Sequence, residues 1–170
     1  WTEWRTNSTI NVCTVNGVNR DKAGYGYTYD GLDRMTAAKY EEFSGGAWTN
    51  VNKFKENLTY DLNGNILTLG RRGFTGAGTY GLIDTLTYTY DGTNIHRINT
   101  ITDGSSLTYG YKSASGSYTY DSNGNMISDG SKSITTITYN HLNLPTKYTF
   151  TGGNTIEIQY DASGRKLKKI

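Results

Sequence analysis

Catalysis needs a nucleophile, a base or a set of metal ligands, and this chain offers few of each. Cys13 is the single cysteine, so neither an intramolecular disulfide nor a cysteine-based metal site can form. His96 and His141 are the two histidines, and two without a third ligand in view make a poor metal site. Of ten aspartates, Asp30, Asp33, Asp61, Asp91, Asp121 and Asp161 recur at turn positions of a repeat and are explained by turn geometry. Asp84, Asp103, Glu41, Glu42 and Glu157 fall in no pattern of the kind a two-carboxylate glycosidase requires. Asp61-Leu62-Asn63-Gly64-Asn65 opens like a calcium loop but lacks the later bidentate acid. No catalytic, cofactor-binding or metal-binding residue is therefore expected, and no cofactor. Tyrosine is the remaining chemistry: its amphipathic ring can stack on sugars or peptides, the rival role being packing between neighbouring strands.

The tyrosines are set by a repeat. Leu58-Thr59-Tyr60-Asp61-Leu62-Asn63-Gly64-Asn65-Ile66-Leu67 returns almost unchanged as Tyr118-Thr119-Tyr120-Asp121-Ser122-Asn123-Gly124-Asn125-Met126-Ile127. Looser copies run from Tyr27 to Met35, Tyr88 to His96, Ile137 to Pro145 and Ile158 to Lys166. One column holds Tyr29, Tyr60, Tyr90, Tyr120, Tyr139 and Tyr160. Two residues earlier stand Tyr27, Leu58, Tyr88, Tyr118, Ile137 and Ile158, with Thr28, Thr59, Thr89, Thr119, Thr138 and Gln159 between. Alternation with period two predicts a strand with one bulky face and one polar face.

After the tyrosine comes Asp30, Asp61, Asp91, Asp121, Asn140 or Asp161, whose side chain can accept from backbone N–H groups two residues on. Three positions later stand Asp33, Gly64, Asn94, Gly124, Asn143 and Gly164, residues that tolerate positive φ. This pairing predicts a type I turn closed by a bulge, so each copy is a β-hairpin. His96 aligns with Met35, Ile66 and Met126, as a substitute for an apolar residue beside the turn. His141 shares a turn slot with Leu62 and Ser122.

Tyr-Asp-x-x-Gly-Asn-Ile/Met, repeated behind aromatic alternation, resembles the YD repeat of RHS-repeat proteins over roughly Gly24 to Lys169. The resemblance implies antiparallel β-strips that spiral into a hollow shell. In bacterial RHS proteins and the C components of Tc toxin complexes such a shell encloses a toxic C-terminal domain, and in animal teneurins it belongs to a surface adhesion receptor. The family's aspartyl autoprotease would need an Asp-Pro-x-Gly-like terminus, whereas the single proline here is Pro145. The resemblance is to the shell wall alone.

Composition agrees with an all-β chain: 15 Tyr against 4 Phe, 21 Gly and 19% charged residues. The 35% apolar content is low for one central core, so neighbouring copies must stabilise each other by stacking. Residues 1–23 read as a degenerate repeat or outgoing strands, and 24–170 as one continuous domain of six repeats. The Tyr-to-Tyr spacing is 31, 30, 30, 19 and 21, leaving room for about four strands in the longer copies and two in the shorter. Thr36 to Lys55 reads as another hairpin, with a short helix over Ala37 to Phe43 as the alternative. Glycine-rich Phe74 to Gly81 reads as a long connecting loop, and Asp103 to Ser106 and Ser113 to Gly116 read as turns. No apolar run approaches the ~20 residues of a membrane span. The first residue is Trp1 and no signal peptide opens the chain, which suggests a piece of something longer.

The fold class expected is thus all-β, repetitive antiparallel hairpins forming a curved β-strip, part of an RHS-type shell. The function expected is non-enzymatic, a wall segment of a large secreted or cell-surface protein. Its partners would be neighbouring repeats, copies of itself or an enclosed C-terminal toxin domain. Carbohydrate or protein adhesion through the tyrosine face, and filament assembly through open strand edges, are the alternatives. Net charge of +2 recruits no nucleic acid, and Arg165, Lys166, Lys168 and Lys169 read as an exposed strand face.

Overall fold

A computed structural model describes residues 14–15, 18–19, 22–44, 46–106, 109–111 and 115–170. The expectations for Cys13 and for Ser113 and Ala114 lie outside them. Described residues within Trp1–Thr87 and Asp103–Lys112 form one compact unit, and those within Tyr88–Thr102 and Ser113–Ile170 a second. The strands are antiparallel, and no α-helix occurs among the described residues.

In the first unit β1 (Thr14–Val15) pairs only with β2 (Val18–Asn19). β3 (Lys22–Tyr29) pairs with β4 (Met35–Ser44), which also carries β5 (Ala47–Asn50) and, through Ala37 and Ala38, β6 (Glu56–Tyr60). β7 (Ile66–Gly76) and β8 (Thr79–Tyr90) follow, the last three residues of β8 belonging to the second unit. There the chain continues through β9 (Ile98–Asp103), whose last residue belongs to the first unit, β10 (Ser115–Tyr120) and β11 (Met126–Asp129). A 3₁₀ turn, Gly130–Lys132, leads to β12 (Ile134–Tyr139), β13 (Pro145–Phe150), β14 (Thr155–Tyr160) and β15 (Lys166–Lys169). Apart from β5, which pairs with β4 off the path, the order from β3 to β15 is linear, so the thirteen-stranded sheet is open and not closed into a barrel.

The repeat reappears as geometry. Gly64 N donates to Asp61 O at 3.2 Å and Asp61 N to Asn65 O at 2.9 Å, a four-residue turn inside a wider closing bond. Gly64 has φ +87, Gly124 +87 and Gly164 +84, while Asp33 and Asn143 hold the same place at +59 and +56. The register slips beside Tyr29, Tyr60, Tyr120, Tyr139 and Tyr160, so each of these tyrosines sits at a bulge. Outward, hydroxyls pair across five of the six hairpins: Thr28 with Thr36, Thr59 with Thr68, Thr89 with Thr100, Thr119 with Ser128 and Thr138 with Thr146. Inward lie few buried apolar side chains among the described residues, Ala38 and Leu86 in the first unit and Ile101, Tyr118, Ile134, Ile137 and Ile158 in the second.

Three expectations need correction, and one alternative is decided. The hairpin expected over Thr36 to Lys55 is β4 with β5, and the helical alternative falls away: Ala37 to Phe43 is strand throughout, paired with β3 and, from Glu41, with β5, because Ala37 and Ala38 face a strand on each side. Phe74 to Gly81 is a tight hairpin instead of a long loop: Gly76 pairs with Thr79 around Ala77 (φ +49) and Gly78 (φ +78). Positive φ at both central residues matches the right-handed twist of the flanking strands, which is why the glycines gather there. Among the described residues the longer copies also hold fewer than four strands. Between Tyr60 and Tyr90 the extra residues lengthen two strands, β7 to 11 residues and β8 to 12. Ser115 and Gly116, read as part of a turn, begin β10.

Backbone conformation alone sets one substitution test. A Cβ on Gly64 meets nothing within 4 Å, so Gly64→Ala carries only the left-handed conformational penalty. That penalty should be about 1–2 kcal/mol in urea unfolding. Gly26 lies in β3 with equally open space and no positive φ, so Gly26→Ala should be neutral or stabilise by up to about 1 kcal/mol. Equal effects at the two sites would refute the turn geometry.

Candidate functional site

The histidines are exposed and apart in the chain's turns. His141 lies at the second position of the Asn140 turn. His96 does not occupy the strand position of Ile66 and Met126, because its turn is two residues longer. Asp91 N closes onto Arg97 O at 2.8 Å, which places Ile98 at the head of the outgoing strand. Asn94 consequently lacks the positive φ of its counterparts. No group of three His, Cys, Asp or Glu side chains able to hold a metal occurs among the described residues.

The turn carboxylates form one recurring device. Asp61 Oδ1 accepts from Asn63 N and Asn65 N, both at 2.8 Å, and Oδ2 from Asn65 Nδ2 at 2.8 Å. Asp121 repeats this with Asn123 and Asn125. Asp30 and Asp161 replace the amide with the Nε of Arg34 (2.7 Å) and Arg165 (3.2 Å). Asn140 caps its turn with backbone donors alone, Leu142 N and Leu144 N, and Asp91 receives Thr93 N and Asn94 N. These donors hold the carboxyls below their ordinary value. The first contribution is the Asn65 amide at Asp61, the Asn125 amide at Asp121, the Asn94 N–H at Asp91 and the Ser163 hydroxyl at Asp161. At Asp30 partial desolvation opposes the Arg34 donors and loses to them.

Four of the turns are tied to the hairpin before them by a tyrosine. Tyr60 Oη donates to Met35 O at 2.7 Å, Tyr120 to Ile98 O at 3.0 Å, Tyr139 to Met126 O at 2.6 Å and Tyr160 to Pro145 O at 3.0 Å. The acceptor is always the first residue of the preceding hairpin's outgoing strand. Burial pushes the Tyr120 and Tyr139 hydroxyls above their ordinary value. Arginine adds a second tie: Arg34 stacks over the Tyr60 ring, 4.7 Å from its centre, and donates Nη1 to Asp61 O at 2.8 Å. Arg97 stacks likewise over Tyr120 at 5.6 Å. Tyr29 and Tyr90, the remaining members of the column, end β3 and β8 half-buried.

One polar cluster carries no sequence signature. Asp84, in β8, is wholly buried, and Arg71 Nε and Nη2 both reach its Oδ2 at 2.6 Å. Tyr111 N donates to Oδ1, and a Cβ on Gly110 would fall 2.2 Å from that oxygen. The cluster backs a cleft of about 650 Å³ in the first unit, whose lining includes Tyr25, Tyr27, Phe54, Phe74, Arg71 and Glu56. Ring faces beside a guanidinium and a carboxylate suit a ligand with both apolar faces and polar edges. Alternation places Asp84 inward with Leu86, but nothing in the pattern couples it to Arg71 thirteen residues away, so the pair is visible only in the folded chain.

No family profile and no curated protein matches this chain. Among solved structures it is similar to a crystal structure of TcdB2-TccC3-TEV, at 13% identity and a TM-score of 0.47. The likeness covers 91% of this chain and 10% of that one.

Two measurements follow from these groups. Arg71→Met strands a buried carboxylate and should cost about 3–5 kcal/mol, the scale for breaking a buried pair. Asp84→Asn should cost less, because Arg71 keeps access to water at 39% side-chain exposure. The double variant should be more stable than Arg71→Met alone in urea unfolding, and the reverse order would refute the pairing. The turn carboxyls, held low when folded, bind protons less readily than in the unfolded chain. Their stabilisation is present above about pH 4 and is lost as pH falls through the folded-state values. Asp121→Asn should flatten the acid limb of a stability-versus-pH curve, as Asn140 already caps its turn without titrating. An unchanged limb would exclude this role.

Proposed function

We propose that this chain is a non-enzymatic structural segment of a large secreted or cell-surface RHS-type protein, forming part of the wall of a shell around a cargo or toxin domain. The observation that carries the reading is the tyrosine hydroxyl bond from each of four hairpins to the hairpin before it. Such ties link consecutive hairpins at a fixed register and leave the outer face to paired threonine hydroxyls, a construction suited to an extended wall. The six sequence copies and the open antiparallel sheet support the same reading.

A second reading, carbohydrate or protein adhesion, is favoured by the aromatic cleft with Arg71 and Glu56 in its lining. Electron microscopy of the native gene product separates the two. Closed hollow particles, larger than one chain can make, are the outcome expected of a wall. Compact monomers whose tyrosine fluorescence is saturably quenched by glycans would replace the wall with an adhesion module, and long regular fibres would overturn both.

A further inference from the structure

Two of the described turns join a side-chain amide that can be lost to the neighbour that least hinders its loss. Asn63-Gly64 and Asn123-Gly124 place an asparagine directly before a glycine, and both asparagines are exposed. In such a pair the main-chain nitrogen of the glycine can attack the asparagine Cγ. A C–N bond forms, the amide nitrogen departs as ammonia, and a five-membered succinimide ring remains. Water then opens the ring at either carbonyl, leaving aspartate or isoaspartate. A side chain on the second residue obstructs the attack, and glycine has none. At Gly64 no neighbour intrudes either, since a Cβ there would meet nothing within 4 Å. The other turns differ at this point: Ser163-Gly164 has no amide to lose, and Asn143 is followed by the bulky Leu144.

The folded turn takes the attacking nitrogen out of use. Gly64 N donates to Asp61 O at 3.2 Å and Gly124 N to Asp121 O at 3.1 Å, so each is already engaged across its turn. The turn aspartate pins the residues on both sides of that nitrogen. Asp61 Oδ1 accepts from Asn63 N and Asn65 N, both at 2.8 Å. Asp121 Oδ1 accepts from Asn123 N at 2.9 Å and Asn125 N at 2.8 Å. To reach Cγ the peptide between asparagine and glycine must rotate, and all of these bonds resist the rotation. The reaction therefore runs through the fraction of molecules in which the turn is open.

We propose that Asn63 and Asn123 are latent modification sites, closed by the Asp61 and Asp121 turns and converted to isoaspartate when those turns open. The isoaspartyl product adds a methylene to the main chain inside the ring that the glycine N–H closes onto the aspartate carbonyl. A converted turn does not close as before, so a transient opening leaves a permanent mark. Tyr60, bonded to Met35 O, and Tyr120, bonded to Ile98 O, stand directly before these two turns. Conversion therefore loosens the ties between consecutive hairpins at these two points. The protection is local to each turn and does not depend on the wall reading.

Peptide mapping by liquid chromatography and mass spectrometry, which separates asparagine, aspartate and isoaspartate, tests this over a time course at mildly alkaline pH. The wild type in buffer and in urea is compared with Asp61→Ala and Asp121→Ala. Both sites should convert fastest in urea, and at least about tenfold more slowly in the folded wild type. Asp61→Ala removes the acceptor of Asn63 N, Asn65 N and the Asn65 amide. Asn63 should then convert about tenfold faster than in the wild type, while Asn123 keeps its rate and reports that the chain is folded. Asp121→Ala should do the reverse. Asp61→Asn keeps an acceptor of the kind that Asn140 supplies to its own turn, so Asn63 should stay protected. Wild-type rates equal to those in urea would overturn the inference. So would an Asp61→Ala chain in which both asparagines speed up alike, or neither does.

Discussion

A tyrosine can leave water only if its hydroxyl takes a partner with it, and much of this architecture answers that constraint. With few buried aliphatic side chains described in either unit, aromatic rings must supply much of the burial. Each ring's phenol then needs an acceptor that strand pairing has left available. The head of the preceding hairpin's outgoing strand provides one, next to the bulge where the ladder is interrupted. The bulge, the turn that produces it and the phenol bond therefore belong together. The aspartate makes the turn, the turn displaces the tyrosine, and the displaced tyrosine reaches back.

The two faces of the strands divide the work. Inward, rings and isoleucines are packed thinly, and the polar exceptions are fully engaged: Asp84 by Arg71 and Tyr111, Asp129 by Ser131 and Lys132. Outward, threonines bond to one another across the hairpin at 2.5–3.2 Å, so their hydroxyls are satisfied without a ligand. A face that meets its own hydrogen-bonding needs gives little purchase to other molecules.

Strand identity and turn type were legible because both are local. Period-two alternation around Tyr60 and Tyr120, with aspartate and glycine three apart, specifies them without tertiary information. What was hidden depends on partners distant in sequence or on exceptions to the period. Arg71 and Asp84 meet across the β7–β8 pair, and no short-range pattern announces it. The glycines from Phe74 to Gly81 resembled a loop because loops and tight hairpins draw on the same residues. The Asp91 turn misled an alignment at fixed offset, since its closing bond falls on Arg97 instead of four residues on. In the tyrosine column the spacing was plain, whereas the choice of acceptor required the folded chain.

That longer turn bears on how such a scaffold can diversify. Its two added residues are absorbed between Asp91 and Arg97, and the strands on either side keep their facing, with Thr89 still bonded to Thr100. Phase is fixed by the closing bond at the base and not by the length of the tip. Tips of this kind are natural grafting points, where foreign peptide can be spliced in and displayed while the sheet beneath keeps its pairing.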